Sequence, residues 1–259
     1  MSVFEPKFDT YQDVRTTLTW WSIPFWLVMV LAIYSGIMPP EHRATVKTFF
    51  PGVAGWVSSA GSLVVAAVLA GAFSQFMIHV IEVHDRIYDR FFVKWRRDYD
   101  TLFILPSLLR PQEHGLPLAA LFVAQNDRQR FMELLYYEFV GDRDMKIRKN
   151  LVVRFYEVIT KYWLTQLLEV AALLVVLVDV CYAIVELLLG KPMRPALYWT
   201  LVGALSVWLL GRISALLMRP VVTRHTKEQI EAIHKDCAPE FRKAVGDAFK
   251  GHGIGVATP

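Results

Sequence analysis

Apolar residues gather in four blocks, each long enough to be a membrane span, and between them apolar positions recur only every three or four residues. The blocks cover about residues 19–38, 53–83, 164–189 and 196–218. A helix rises about 1.5 Å per residue, so about 20 apolar residues cross the 30 Å of bilayer hydrocarbon. The third block is the most continuous. Residues 161–190 read KYWLTQLLEVAALLVVLVDVCYAIVELLLG, with no Pro or Gly before Gly190. The pattern predicts an all-α, polytopic membrane protein with four transmembrane helices, a helical cytosolic insert between helices 2 and 3, and a cytosolic amphipathic tail.

The expected segments are residues 1–84 for the first helix pair, 85–161 for the insert, 162–218 for the second pair and 219–259 for the tail. Trp20, Trp21 and Trp26 cluster near the start of block one, as in an interfacial belt, and Pro39-Pro40 end it. No breaker follows block two. Ile87, Phe91, Trp95 and Tyr99 then recur at four-residue spacing, which predicts one helix continuing in water to about Asp100. After a Pro-rich loop, a helix is expected over 118–139, ended at Val140-Gly141. Another starts near Asp144, its stripe of Ile147, Leu151, Phe155, Val158 and Tyr162 running into block three. Gly190 suits a helix C′ position before Pro192 and Pro195. Pro220 is expected to end block four. In the tail, Thr226 with Gln229 fits a capping box, Ile230, Ile233 and Cys237 form a stripe, and Pro239 opens a last helix.

Charge sets the orientation. The net charge is +4, and basic residues crowd the 85–161 segment and the tail. The other two loops hold only Arg43 and Lys47, then Lys191 and Arg194. The positive-inside rule places both termini and the insert in the cytosol, in a multi-pass protein of the cell inner membrane. A hydrophobic content of 54% and a mean hydropathy of +0.35 suit that class. The basic excess is read as topogenic, and no nucleic-acid partner is expected. Arg96, Arg97, Lys146, Arg148 and Lys149 are expected at lipid head groups or a partner. The two cysteines, Cys181 and Cys237, should sit at different depths, so no disulfide is expected. No cleavable signal peptide is expected either.

Block two is rich in small residues. Gly55, Ser59, Gly61, Ser62 and Gly71 mark it as a helix–helix interface, within the chain or between copies. The intramembrane acids are the other candidates, because a carboxylate in lipid is costly unless it meets protein, water or a cation. Asp179 and Glu186 are candidates to line a pore or cavity, and His79 and Glu82 to line its mouth. Asp179 equally fits a neutral structural hydrogen-bonder. Glu169 and Arg212 fall at similar depth when blocks three and four fold into a hairpin, which predicts a structural ion pair.

His79, Glu82, Asp85, Arg86 and Asp89 would share one side of a continuous helix. The i, i+3 spacing of His79 and Glu82 matches a ligand pair, but no second such pair occurs on another membrane helix. No metal or cofactor is therefore expected. P-loop, GxSxG, HExxH and dinucleotide-binding patterns are absent from the sequence. The expectation is a non-enzymatic homo-oligomer in lipid that forms or gates a path across the bilayer. One version is an effector of a prokaryotic stress or antiviral response, controlled by a cytosolic protein or ligand. A scaffold or sensor that recruits a cytosolic partner is the alternative. A membrane metalloenzyme is the reading with least support.

Overall fold

The computed structural model describes residues 10–37, 60–83, 98–110, 116–141, 146–192 and 194–250. Every regular element among them is helical. In chain order these are α1 (Tyr11–Ile37), α2 (Ala60–Gln75), α3 (Leu105–Leu109), α4 (Leu118–Asn126), α5 (Arg128–Met132), α6 (Glu138–Val140), α7 (Lys149–Leu188), α8 (Pro195–Asp236) and α9 (Ala238–Phe249). π-Helical turns extend α2 over Phe76–Val80, lead into α3 over Asp100–Ile104, and join α5 to α6 over Glu133–Tyr137. Among the described residues, three helices are long and apolar enough to cross a membrane: Tyr11–Ile33 within α1, then α7 and α8.

The chain divides into two compact units. The first joins Met1–Val14, Ile87–Ile159 and Arg219–Pro259. Its core is built from α3 to α6, the start of α7, the end of α8, and α9. Leu105, Leu108, Phe131, Phe139, Ile233, Phe241 and Phe249 are among its most buried side chains. Insert and tail, separate segments in the sequence, therefore share one core. The stripe of Ile230, Ile233 and Cys237 is wholly inside it. Phe241, Val245, Ala248 and Phe249 put the apolar face of α9 there too.

The second unit joins Arg15–Arg86 and Thr160–Met218. Here α1 and α2 run antiparallel, since Arg15 reaches the Ile78 and His79 carbonyls while Trp26 stacks edge-on against Phe73. α7 and α8 are also antiparallel, closed by a Schellman turn. Gly190 adopts φ +69, its N–H donates to the Leu187 carbonyl at 3.0 Å, and the Lys191 N–H donates to the Glu186 carbonyl at 2.9 Å. Along α8 the buried positions Leu197, Ala204, Gly211, Ala215 and Val222 form a narrow seam at heptad spacing. Tyr198, Trp199, Leu205, Leu209, Ile213 and Leu217 point outward, as suits a helix bathed in lipid.

Four expectations need correction. α1 starts at Tyr11 rather than near Thr19, because Thr10 and Asp13 close a capping box. The Asp13 N–H donates to Thr10 Oγ1 at 3.1 Å and the Thr10 N–H to Asp13 Oδ2 at 2.9 Å. The helix through block two does not continue: it ends at Val80, and Glu82 takes a left-handed backbone at φ 50. The helix expected over 118–139 is interrupted at Asp127. Finally, α8 runs straight through Pro220, whose ring is exposed, so Thr226 is mid-helix and its hydroxyl donates to the Val222 carbonyl rather than capping.

Candidate functional site

Polar chemistry in the second unit falls into two groups. The first joins α1 to α2. Thr19, Ser22 and Trp26 follow Arg15 at spacings of four, three and four residues, one face of a helix that is otherwise apolar. Arg15 Nη2 lies 3.4 Å from the carbonyl oxygens of Ile78 and His79. A cation placed there satisfies carbonyls that the end of a helix leaves open. Glu82, just past that end, stands 4.0 Å from the same guanidinium.

Donor bookkeeping gives this group a direction. The Thr19 hydroxyl donates to the Arg15 carbonyl at 2.8 Å, so at 3.1 Å it accepts from His79 Nε2, which carries the proton. Ser74 Oγ and Ser22 Oγ lie 2.8 Å apart and both reach the Thr19 carbonyl, at 2.8 Å and 3.3 Å, while Trp26 Nε1 donates to Ser22 Oγ at 3.1 Å. Both chains end on backbone carbonyls. A carbonyl oxygen has no proton to pass on, so the arrangement clasps two helices and does not conduct protons along itself.

The second group lies between α7 and α8. Arg212 Nη1 is 3.8 Å from Glu169 Oε2, bringing together the two residues paired on the sequence. Ten residues on, about 15 Å along the helix, Asp179 is fully buried, and neither carboxylate oxygen has a hydrogen-bond partner. Its neighbour across the helix pair is Thr200. Seven residues further, Glu186 Oε1 accepts from Arg194 Nε at 2.8 Å. Arg194 also donates to the Tyr182 hydroxyl and lies over that ring at 4.8 Å from its centre. Glu186 is thus tied into the turn that joins the two helices.

The remaining candidates are dispersed. His79 and Glu82, expected on one side of a continuous helix, do not share one, since the helix ends between them. Gly71 faces α1, where an added Cβ would sit 4.0 Å from Ile23 Cδ1. Gly55, Ser59, Asp85, Arg86, Asp89, Arg96 and Arg97 lie outside the described residues, as do the side chains of Gly61 and Ser62. Lys146 pairs with Glu138 at 2.7 Å and Arg148 with Asp236 at 3.4 Å, both within the first unit, while Lys149 is exposed at the start of α7. The described residues contain no cluster of three His, Cys, Asp or Glu side chains that could hold a metal.

The first unit holds its own buried polar group. Tyr136 donates to Gln229 Oε1, and the Gln229 amide nitrogen has no partner among the described residues. Burial pushes the Tyr136 phenol well above its usual range, and the nearby Tyr99, Tyr137 and Asp100 add to the shift. Asp100 is buried and held by Arg128 at 3.1 Å. On the outside of α8, Pro220, Thr223, Arg224, Lys227, Glu228 and Glu231 line an open groove of about 500 Å³.

Residues 11–246 match the YmfE protein family, and the chain belongs to it. No curated protein and no solved structure matches the chain.

Proposed function

We propose that this YmfE-family protein is an oligomer of the inner membrane that forms or gates a path across the bilayer. In this reading α2 and the residues before it complete a fourth span, and the first unit with both termini lies in the cytosol. The observation that carries the proposal is Asp179. It sits in a spanning helix with no cation beside it among the described residues, whereas Glu169 and Glu186 of the same helix meet Arg212 of α8 and Arg194 of the turn before it. An acid in lipid costs about 2.5–3.5 kcal/mol even on the mild insertion scale, which favours a position facing protein or water in the assembly. The outward apolar surface of α8 offers room for lipid or for neighbouring copies.

The test is ion flux into liposomes for wild type, Asp179→Asn and Asp179→Leu, alongside particle mass in nanodiscs. A conducting ring whose flux or ion preference changes in a well-folded Asp179→Asn protein supports the proposal. A monomer that conducts nothing rejects it. The alternative, a scaffold that recruits a cytosolic partner, draws support from the groove on α8, where Arg224 and Lys227 stand among Glu228 and Glu231. This reading expects Arg224→Glu to release a co-purified protein and to leave liposome flux untouched.

A further inference from the structure

The three acids in the apolar part of α7, Glu169, Asp179 and Glu186, are not equivalent. Glu169 meets Arg212 and Glu186 meets Arg194, each within 4 Å. Asp179, between them, has no hydrogen-bond partner among the described residues, and Thr200 is its polar neighbour. The Thr200 hydroxyl reaches the Leu197 carbonyl at 3.0 Å, and when it donates there its lone pairs are left to accept from a protonated carboxyl. Among the described residues, the neighbouring helices are uncharged over long stretches. α1 has no ionisable side chain between Arg15 and Tyr34, and α2 has none from Ala60 to Gln75. Between Arg194 and Arg212, α8 carries only the Tyr198 phenol. On α7 itself the flanking groups are the Cys181 thiol and Tyr182, which Arg194 engages.

Two species could occupy an isolated carboxylate of this kind. A metal cation taken from water needs several oxygens in place of its hydration shell, six to eight of them for calcium. Asp179 and Thr200 together offer three oxygens, one of which belongs to a hydroxyl already bonded to a carbonyl. A proton needs only the carboxylate. It removes a charge that hydrocarbon penalises and creates the donor that Thr200 can accept.

We propose that the species handled at Asp179 is the proton. Asp179 takes up H⁺ from hydronium on one side, forming a carboxyl O–H bond and leaving water. It returns H⁺ to water on the other side when the assembly re-exposes it. The proposal deepens the reading of a path across the bilayer and rests on it.

A hydrophobic carbodiimide tests the site without requiring transport. It is protonated by a carboxylic acid in an apolar setting and is then attacked by the resulting carboxylate, and the O-acylisourea so formed shifts its acyl group from oxygen to nitrogen to give a stable N-acylurea. Dicyclohexylcarbodiimide is applied to the full-length protein in nanodiscs across a pH series, and adducts are located by peptide mass. Proton and potassium flux are measured on the same preparation in liposomes. Asp179 should be labelled at neutral pH, less so as pH rises, and not at all in Asp179→Asn. Asp179→Glu should restore labelling, and Glu169 and Glu186, held by arginine, should stay unlabelled. Equal labelling of all three acids, or none at Asp179 in folded protein at any pH, overturns the proton site. Potassium flux without proton flux overturns it too and leaves the path standing. Labelled Asp179 with no flux of either ion refutes the path while the protonated site survives.

Discussion

Gly211 and Glu169 occupy the same space across α7 and α8: a Cβ built on Gly211 would stand 2.9 Å from Glu169 Cγ and 3.4 Å from the Thr165 carbonyl oxygen. The glycine is needed for closeness, and the closeness sets the depth at which Glu169 meets Arg212. Gly211→Ala should lower stability by about 1–3 kcal/mol, the usual cost of overpacking, and Gly211→Leu by more. Thermal unfolding in detergent measures this. An unchanged melting temperature for Gly211→Leu would mean the helices are not in contact there.

The Glu169–Arg212 pair should respond unequally to its two deletions. Glu169 is 3% exposed at its side chain, and Arg212 is 31% exposed. Arg212→Met strands a carboxylate that is nearly inaccessible, and the cost should approach the 3–5 kcal/mol typical of a broken buried pair. Glu169→Gln leaves a guanidinium that can still reach water, so its cost should be clearly smaller. Equal effects in chemical unfolding would contradict the burial asymmetry.

The clasp between α1 and α2 should be weak at each bond. Hydrogen bonds between membrane helices average about 0.6 kcal/mol in mutant cycles, with a maximum of about 1.7. Ser74→Ala removes the bonds to Thr19 and to Ser22, so a loss near the upper figure is expected. The doubly substituted Ser22→Ala, Ser74→Ala protein should lose less than the sum of the single changes, because the two hydroxyls share one bond, although Ser22→Ala also strands the buried Trp26 Nε1–H. Additive losses would show that they act independently.

Alkali should loosen the first unit through Tyr136. Its phenol is held above the usual range in the folded chain, while the unfolded chain titrates near the ordinary value of about 10. Above that pH the unfolded state releases a proton that the folded state keeps. Stability is therefore complete below pH of about 10 and falls as pH rises towards the folded value. Tyr136→Phe should lessen this slope and leave the share of Tyr99, whose phenol is also raised by burial. It should also cost about 1–3 kcal/mol at neutral pH, by leaving the buried Gln229 oxygen without its donor. Phenolate absorbance during alkaline unfolding of the full chain reports both effects.

Reporter fusions should place Leu109 and the C-terminus in the cytosol and the turn at Lys191 outside, following the asymmetry of basic residues. An external signal at Leu109 would reverse the topology.

Local signals carried much of this fold. The uninterrupted apolar run of α7 and the Gly190–Pro195 turn were readable because lipid and turn geometry act on neighbouring residues alone. The start of α1 was readable as well, in Thr10-x-x-Asp13, but its polar first turns masked it. The stripe Arg15, Thr19, Ser22 and Trp26 also lay in view at helical spacing. It is easily passed over, since single hydroxyls in apolar helices commonly bond their own backbone. The end of the helix at Glu82 had no Gly or Pro to announce it. There Arg15, from another helix, caps the carbonyls of Ile78 and His79. Pro220 misled in the opposite sense: with its ring outward and the seam on the other face, α8 continues. That Asp179 alone lacks a cation depends on the register of α7 against α8, which no single-helix pattern contains.

The narrow seam of α8 has a consequence for how the sequence can vary. Leu197, Ala204, Gly211, Ala215 and Val222 face protein, while most of the intervening circumference meets only an apolar solvent. A saturation library across residues 197–222 of α8 should therefore show intolerance in steps of seven, with one step of four from Gly211 to Ala215, at small or tightly fitted side chains. Leu, Ile, Val and Phe should exchange freely between those steps. The helix is constrained along a line rather than over a surface, and natural drift in its sequence should follow that line.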